Sequence, residues 1–271
     1  MTMGLRILTC VKQVPATNRV EVDEITGVLK RGGAAAKLNP YDLYALELAF
    51  TLRAKHGGAV DTLSMGPPAA KNALYEALCM GADAAWLLSD SRFAGADVLA
   101  TSRALSGAVR RMGGYDLIVC GKQTTDGDTA QVGPALAEFL GIQHASYARR
   151  LSVEGDMIRV TASLGDVDSE QLLPLPCLVT VEKDVNTPRL PSYRRGLAVR
   201  VEDIKTLTLD DLADADERRY GLAGSPTQVE RVFPPESGAH REVLRGDADF
   251  LAKRAAGILR AGKFVQRSSQ C

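Results

Sequence analysis

Residues 117–140 read LIVCG (117–121), KQTTDGDTAQVGP (122–134) and ALAEFL (135–140). An apolar run ending in Gly121, then a polar turn, then an amphipathic segment is the pattern of a buried strand, a loop and a helix. The loop carries Thr125, Asp126, Asp128 and Thr129, each a candidate N-cap for that helix. The free amides of a helix start, with their partial positive charge, suit a phosphate. Asp126 and Asp128 would repel one. They are therefore expected to cap the helix or hold sugar hydroxyls, while backbone amides and the side chains of Thr129 and Gln131 face the anion. Strand-to-helix loops rich in Asp, Gly and Thr are also common capping devices, so spacing alone leaves ligand site and cap equally open.

Working outward, the same grammar recurs upstream. LRILTCV (5–11) is a continuous apolar run suited to a strand covered on both faces, broken at Lys12-Gln13-Val14-Pro15. VEVDEITGVLKRGG (20–33) reads as a hairpin turned at Thr26-Gly27. Asn39 is expected to cap a helix with Pro40 at its first position, and Gly57-Gly58 stops it. VDTLSM (60–65) is a second strand, turned by Gly66-Pro67-Pro68 into a second helix; a third strand runs around Trp86, and GADVLATS (95–102) opens a third helix ending near Gly113-Gly114. Residues 115–121 form the fourth strand. Strands alternating with helices at this spacing imply an α/β fold, a mainly parallel doubly wound sheet. Ligands in such sheets lie outside the strand C-termini where strand order reverses. The first and fourth strands are placed there, so the loops at 12–15, 65–67 and 121–129 should converge on one pocket.

After Gly141 the pattern changes. Residues 151–156, 157–164 and 171–184 read as strands joined by turns, which adds antiparallel members to the sheet. Residues 1–189 are thus expected to form the nucleotide-binding domain, and 190–271 a C-terminal arm. Regular periodicity fades in that arm, Arg194, Arg195 and Arg200 cluster, and a final helix at 247–260 has an apolar side needing a surface to cover.

Composition narrows the function classes. Of 271 residues, 45% are hydrophobic and 24% charged, and Lys+Arg 33 balances Asp+Glu 33. There is no basic excess to recommend nucleic acid or an anionic membrane as partner. No apolar stretch approaches the ~20 residues of a membrane span, and the first residues do not resemble a secretory signal, so the cytoplasm is the expected location. The five cysteines, Cys10, Cys79, Cys120, Cys177 and Cys271, are widely spaced and suggest neither a disulfide framework nor a metal site. His56, His144 and His240 are isolated from one another, no catalytic triad is visible, and no P-loop is present to support ATP hydrolysis.

GKQTTDGDTAQVGPALAEFLG (121–141) closely resembles the signature of the beta subunit of electron transfer flavoproteins. Further segments similar to that family follow in order: CVKQVP (10–15), LNPYDLYALELAF (38–50), SMGPP (64–68), MGADAA (80–85), GADVLATS (95–102), LPCLVTVEKDVNTPRLPS (175–192) and AGSPTQV (223–229). The resemblance implies an adenine-nucleotide-binding α/β domain of the HUP type, whose C-terminal arm wraps a flavin-bearing alpha subunit. In ordinary respiratory members the beta site holds a structural AMP; in bifurcating members it holds a second FAD, with NADH as electron donor. SMGPP, GADVLATS, DGDTAQVGP and AGSPTQV resemble the bifurcating version. That implies delivery of electrons to an acyl-CoA dehydrogenase or similar acceptor and to ferredoxin or flavodoxin. The segment YRRGLAVRVEDIK (193–205) is poorer in lysine than the family commonly is there.

Under this resemblance the expected cofactor residues are Asn39, Met65, Gly66, Gly121, Lys122, Gln123, Asp126, Gly127, Thr129, Ala130 and Gln131. Asp97 and Thr101 are assigned to a flavin's ribityl or phosphate part, the alternative being that both merely cap their helix while AMP fills the site, and Tyr193 with Arg194 to partner docking. No side-chain pair here carries redox chemistry, so a bound flavin would have to supply it. A stand-alone nucleotide-binding regulator on the same type of sheet is the competing class; it would not need the arm after Pro188.

Overall fold

The computed structural model describes residues 4–16, 35–165, 167–230, 243–262 and 264. Two compact units are present, residues 1–231 and 232–271. The larger unit is built on one sheet. Its parallel strands are β1 (Leu5–Cys10), β4 (Gly58–Met65), β5 (Ala84–Leu88), β6 (Leu117–Gly121), β10 (Cys177–Val181) and the edge strand β11 (Lys205–Leu207). β7 (Gln143–Glu154) lies parallel to β10 at its start and antiparallel to β8 (Met157–Leu164) further on, and β9 (Val167–Pro174) closes that side. The strand order is β11-β5-β4-β1-β6-β10-β7-β8-β9. A separate pair, β2 (Gln13–Pro15) and β3 (Ala36–Leu38), runs antiparallel. The turn expected at Thr26-Gly27 between them lies outside the described residues.

The central strands are apolar on both faces because both faces are covered. Along β1, Ile7 enters one core with Leu46 and Phe50 of α1 (Pro40–His56) and Leu74 of α2 (Lys71–Met80). The next residue, Leu8, enters a second core with Leu105 of α3 (Val98–Arg111) and Leu136 of α4 (Val132–Leu140). Adjacent strand residues point to opposite faces, so each strand serves two cores. Burying one such side chain is worth roughly 1.5–3 kcal/mol, which fixes the register. Of the cysteines, Cys79, Cys120 and Cys177 are buried and Cys10 is half-buried, all free thiols, while Cys271 lies outside the described residues. No described helix is long and apolar enough to cross a membrane.

Three expectations change. The strand read at 171–184 is two strands, β9 at the sheet edge and β10 between β6 and β7, separated at Leu175-Pro176. β7 begins at Gln143 rather than near Leu151, with Ala145 and Ala148 as its buried contacts. The change expected near Arg189 is not where the compact unit stops, since that unit continues to Arg231. β11 completes the sheet edge, and Leu207, Leu209, Leu212 and Tyr220 belong to the second core. Short segments with single buried side chains have no periodicity to read, which is why the sequence reads as an arm there. In the smaller unit, α6 (Ala248–Ala261) is capped by the Asp247 side chain on Phe250 N, with Phe250, Ile258 and Leu259 exposed.

Candidate functional site

β1 leads by crossovers to β4 and β5 on one side, while β6 and β10 lie on the other, so strand order reverses between β1 and β6. The C-terminal ends of those two strands, Cys10 and Cys120–Gly121, open at the position where ligands bind in such sheets. Two of the three loops expected at this edge, 12–15 and 121–129, meet directly. Lys12 N donates to Asp42 Oδ2 at 2.8 Å. Lys12 Nζ pairs with Asp126 Oδ2 at 2.7 Å across 114 residues of sequence. The loop at 65–67 sits on the neighbouring strand β4, where Gly66 N donates to Leu88 O at 3.1 Å.

Asn39 has a different task from the one expected. It stands at the N-cap position of α1 but makes no side-chain capping bond. Its Nδ2 donates to Asp42 Oδ1 and to Gln123 O, both at 2.9 Å. Its Oδ1 accepts from Thr125 N at 3.2 Å, and its own N donates to Lys12 O at 2.9 Å. One fully buried amide therefore ties the end of β1, the start of α1 and the loop after β6. Asp42 lies at the centre of this knot. Burial pushes its carboxyl up to about 7, with the amides of Asn39 and Lys12 holding it back. A Cβ at Gly121 would strike Asp42 Oδ1 and come within 2.7 Å of the Tyr41 carbonyl carbon, so only glycine lets β6 end against α1.

The loop between Gly121 and Val132 is shaped by its backbone. Asp128 and Ala130 have φ of 52° and 54°, the left-handed region in which non-glycine residues are uncommon. Asp128 accepts from the Gln123 side chain, and Asp128 N donates to Thr124 O at 3.0 Å. None of Thr125, Asp126, Asp128 or Thr129 caps α4. The cap is Gln131, without a side-chain capping bond. The helix begins three residues beyond Thr129 because the two left-handed residues carry the chain past it. The first-turn amides of Val132 and Gly133 have no intrahelical acceptor, and Pro134 has no amide to donate. Asp126 is held by Lys12: burial raises its carboxyl, but the Lys12 contact and local hydrogen bonds outweigh it and leave it below the usual range. Thr129, Gln131 and Gly127 are exposed and Ala130 is half-buried. A Cβ at Gly127 would meet only Thr124 Oγ1, at 3.6 Å, so no packing requires that glycine.

Lys122 is not a free cation. Its Nζ donates to Glu182 Oε2 at 2.8 Å and lies 4.9 Å from the centre of the Tyr147 ring, and Glu182 raises its pKa. Met65 packs at the margin of the second core. Asp97 caps α3, its Oδ1 accepting from Ala100 N at 3.0 Å. Its Oδ2 accepts from Thr227 N and Oγ1 at 3.1 and 2.8 Å, and Asp97 N donates to Ser225 Oγ at 2.9 Å. Burial raises this carboxyl, and those bonds outweigh it to leave it lowered. The GADVLATS and AGSPTQV segments are thereby joined to each other. Thr101 is half-buried in the first turn of α3. Among the described residues no hydrogen bond joins Asp97, Thr101 or Met65 to the Asn39 group. Two buried side-chain oxygens near this edge, Gln13 Oε1 and Ser64 Oγ, have no hydrogen-bond partner.

The electron transfer flavoprotein domain family matches residues 26–212. The electron transfer flavoprotein subunit beta of Thermoanaerobacterium thermosaccharolyticum is 44% identical over 245 residues, covering 90% of this chain and 93% of that protein. The chain belongs to the electron transfer flavoprotein family. Other relatives carry different names: Protein FixA of Azorhizobium caulinodans is 41% identical, covering 97% of this chain and 95% of its own. The Caffeyl-CoA reductase-Etf complex subunit CarD of Acetobacterium woodii is 39% identical, covering 89% and 92%. The resemblance drawn from the sequence segments is thus shown at the level of the family and its beta subunits.

Sequence reasoning missed Asp42, Ser64 and the Glu182 partner of Lys122, and took in Gln13 only as part of the loop at 12–15. Asn39-x-x-Asp42 reads as an ordinary helix start, and nothing local marks Asp42 as buried. The separation of 130 residues between Asp97 and Thr227 leaves no signal in spacing at all.

Partner docking was assigned to Tyr193 and Arg194, in α5 (Tyr193–Ala198). Both are exposed, Tyr193 at 83%. Arg195, read with them as a cluster, instead closes the end of α2: its Nε donates to Leu78 O at 2.8 Å and its Nη2 to Ala82 O at 2.5 Å.

Proposed function

We propose that this chain is the beta subunit of a heterodimeric electron transfer flavoprotein that binds FAD at the reversal between β1 and β6, takes electrons from NADH by flavin-based bifurcation, and passes them to an acyl-CoA dehydrogenase-type acceptor and to ferredoxin or flavodoxin. The observation that carries the reading is the loop at 121–131, knotted through Asn39 and Lys12, standing over an α4 start that no side chain caps. Unpartnered Gln13 Oε1 and Ser64 Oγ fit a polar ligand at the same edge. A bound flavin supplies the redox chemistry that no side-chain pair here can.

The protein's part is position and electrostatics. The Val132 and Gly133 amides and the side chains of Thr129 and Gln131 hold phosphate at the helix start. Lys12 neutralises Asp126, which would otherwise oppose that anion. Gly66, where a Cβ would come within 3.1 Å of Ala70 Cβ, keeps the backbone low beside the ligand. Asp97 acts on the site by fixing the start of α3, since both its oxygens are held by the protein.

For partners, α5 is anchored by four bonds, from Arg195 to Leu78 and Ala82, from Tyr75 Oη to Gly196 O and from Ser192 N to Cys79 O. It nonetheless leaves Tyr193 and Leu197 outward at 83% and 72% exposure, with Leu190 just before it at 86%. A rigid, apolar projection of this kind suits acceptor docking. The exposed Phe250, Ile258 and Leu259 of α6 suit coverage by the alpha subunit.

The test is the cofactor content of the purified heterodimer. Two FAD per heterodimer and bleaching by NADH are expected. One FAD plus one AMP released on denaturation, with no absorbance change on adding NADH, overturns bifurcation and leaves an electron carrier with a structural nucleotide.

A further inference from the structure

A cavity lies away from the reversal point, between α3, the end of α4 and the segment that follows β11. Its volume is about 520 Å³, within the range of small-molecule sites. Arg103, Arg110 and Arg111 line it from α3, and Arg219 from the opposite wall. Arg103, Gly107, Arg110 and Arg111 share one helix face, being spaced i, i+4, i+7 and i+8. Because α3 returns from the C-terminal end of β5 to the N-terminal end of β6, its last turn lies at the opposite edge of the sheet from the Asn39 group.

The charge here is balanced by the protein only in part: beside the lining, Asp211 faces Arg111 and Asp216 faces Arg219. Asp214 is the one carboxylate in the lining, and it pairs with Arg219 at 2.6 Å. Arg103 donates to a neutral acceptor, Arg219 O, at 3.2 Å, and lies 5.4 Å from the centre of the Phe139 ring. Arg110 donates to Phe139 O. Two arginines in a last helical turn are ordinary complements to the helix dipole. That account covers neither Arg103, two turns earlier, nor Arg219, on another segment. Arg103 and Arg110 are held in place by neutral carbonyl acceptors that orient a guanidinium without neutralising it, whereas Arg219 is paired with Asp214. In a chain whose formal net charge is zero, four guanidiniums around one concavity are a local concentration.

We infer that this cavity binds a small anion carrying at least two phosphate groups. Guanidinium forks match phosphate oxygens in bidentate pairs, and the two guanidiniums left unneutralised, Arg103 and Arg110, beside the partly balanced Arg111 and Arg219, favour a polyanion over a single carboxylate. Phe139 and buried Tyr220 give the wall an apolar side, against which the base of a nucleoside polyphosphate would lie.

The experiment is calorimetric titration of the complete heterodimer, cofactors in place, with inorganic pyrophosphate, then with ADP, then with citrate. Pyrophosphate should bind saturably. The double variant R110Q/R111Q, at exposed positions, and the separate variant R219Q should each weaken it about tenfold or more with cofactor content unchanged. Tighter binding of ADP than pyrophosphate, lost in the same variants, identifies a nucleoside polyphosphate; equal binding identifies the inorganic anion. Absence of saturable pyrophosphate binding, equal affinity in both variants, or citrate binding as tightly as pyrophosphate would overturn the assignment.

Discussion

Lys12 Nζ lies 2.7 Å from Asp126 Oδ2, joining the loop after β1 to the loop after β6. With 44% and 29% of the two side chains exposed, the pair contributes at most ~1 kcal/mol to stability. Its larger effect is on ligand charge. Lys12→Met leaves the Asp126 carboxylate opposing the anion, so nucleotide affinity should fall about tenfold with little change in Tm. Asp126→Asn removes the opposing charge and frees the ammonium, so affinity should hold or rise. Equal losses in both variants, read by nucleotide retained after gel filtration, would show that the pair only shapes the loop.

Thr129 and Gln131 flank the uncapped start of α4 without stabilising the helix by a capping bond. A variant carrying Thr129→Phe and Gln131→Ala should therefore unfold near the parent temperature yet release the nucleotide. Loss of a hydrogen bond to a charged group is worth about 1.5–3 kcal/mol, roughly tenfold or more in Kd. Full retention of nucleotide by the double variant would assign the loop a structural role alone.

Asp42 sets a pH dependence. Its carboxyl titrates at about 7 in the folded chain against an ordinary 3.8. Between these values the folded chain holds a proton that the unfolded chain has lost. The group's contribution to stability thus falls as pH rises from about 4 to 7, by at most ~1.4 kcal/mol per unit, and is level above that. Asp42→Asn should flatten this slope. It should also cost about 1–3 kcal/mol, because the donors Lys12 N and Asn39 Nδ2 occupy both oxygens and the new amide must face one of them. Denaturant titrations of parent and variant at pH 5 and pH 7 check it; an unchanged difference in stability between the two pH values would refute it.

The strand, loop and helix at 117–140 were legible because each signal is local: an apolar run, turn residues, then helical spacing. The two-sided sheet followed from continuous apolar strands, and the reversal point from their order. What the sequence hid is tertiary. Asp42 looks like any acid in a first helical turn, and its burial comes from Gly121 and Lys12 arriving from two other strands. For Asp97 the sequence left flavin contact and helix cap both open, and its bonds to Thr227 were invisible because that partner is 130 residues away. The start of α4 was placed too early because left-handed backbone at Asp128 and Ala130, two residues other than glycine, leaves no mark in composition.

The Tyr193 ring projects from α5 at 83% exposure, while the helix beneath is fixed by Arg195, Gly196 and Ser192. None of those anchors involves the ring, so Tyr193→Ala should leave the fold, Tm and flavin content unchanged. If the ring enters the acceptor's surface, its loss removes a contact of about 2 kcal/mol, typical of an aromatic anchor. Electron delivery to an acyl-CoA dehydrogenase should then slow at sub-saturating acceptor, mainly as a raised KM, with NADH-dependent reduction of the heterodimer unaltered. Arg194→Gln tests the neighbouring charge: a smaller loss that disappears at high salt is expected, since an exposed ion pair is screened over about 10 Å at 0.1 M. Unchanged kinetics in Tyr193→Ala would remove α5 from the docking surface.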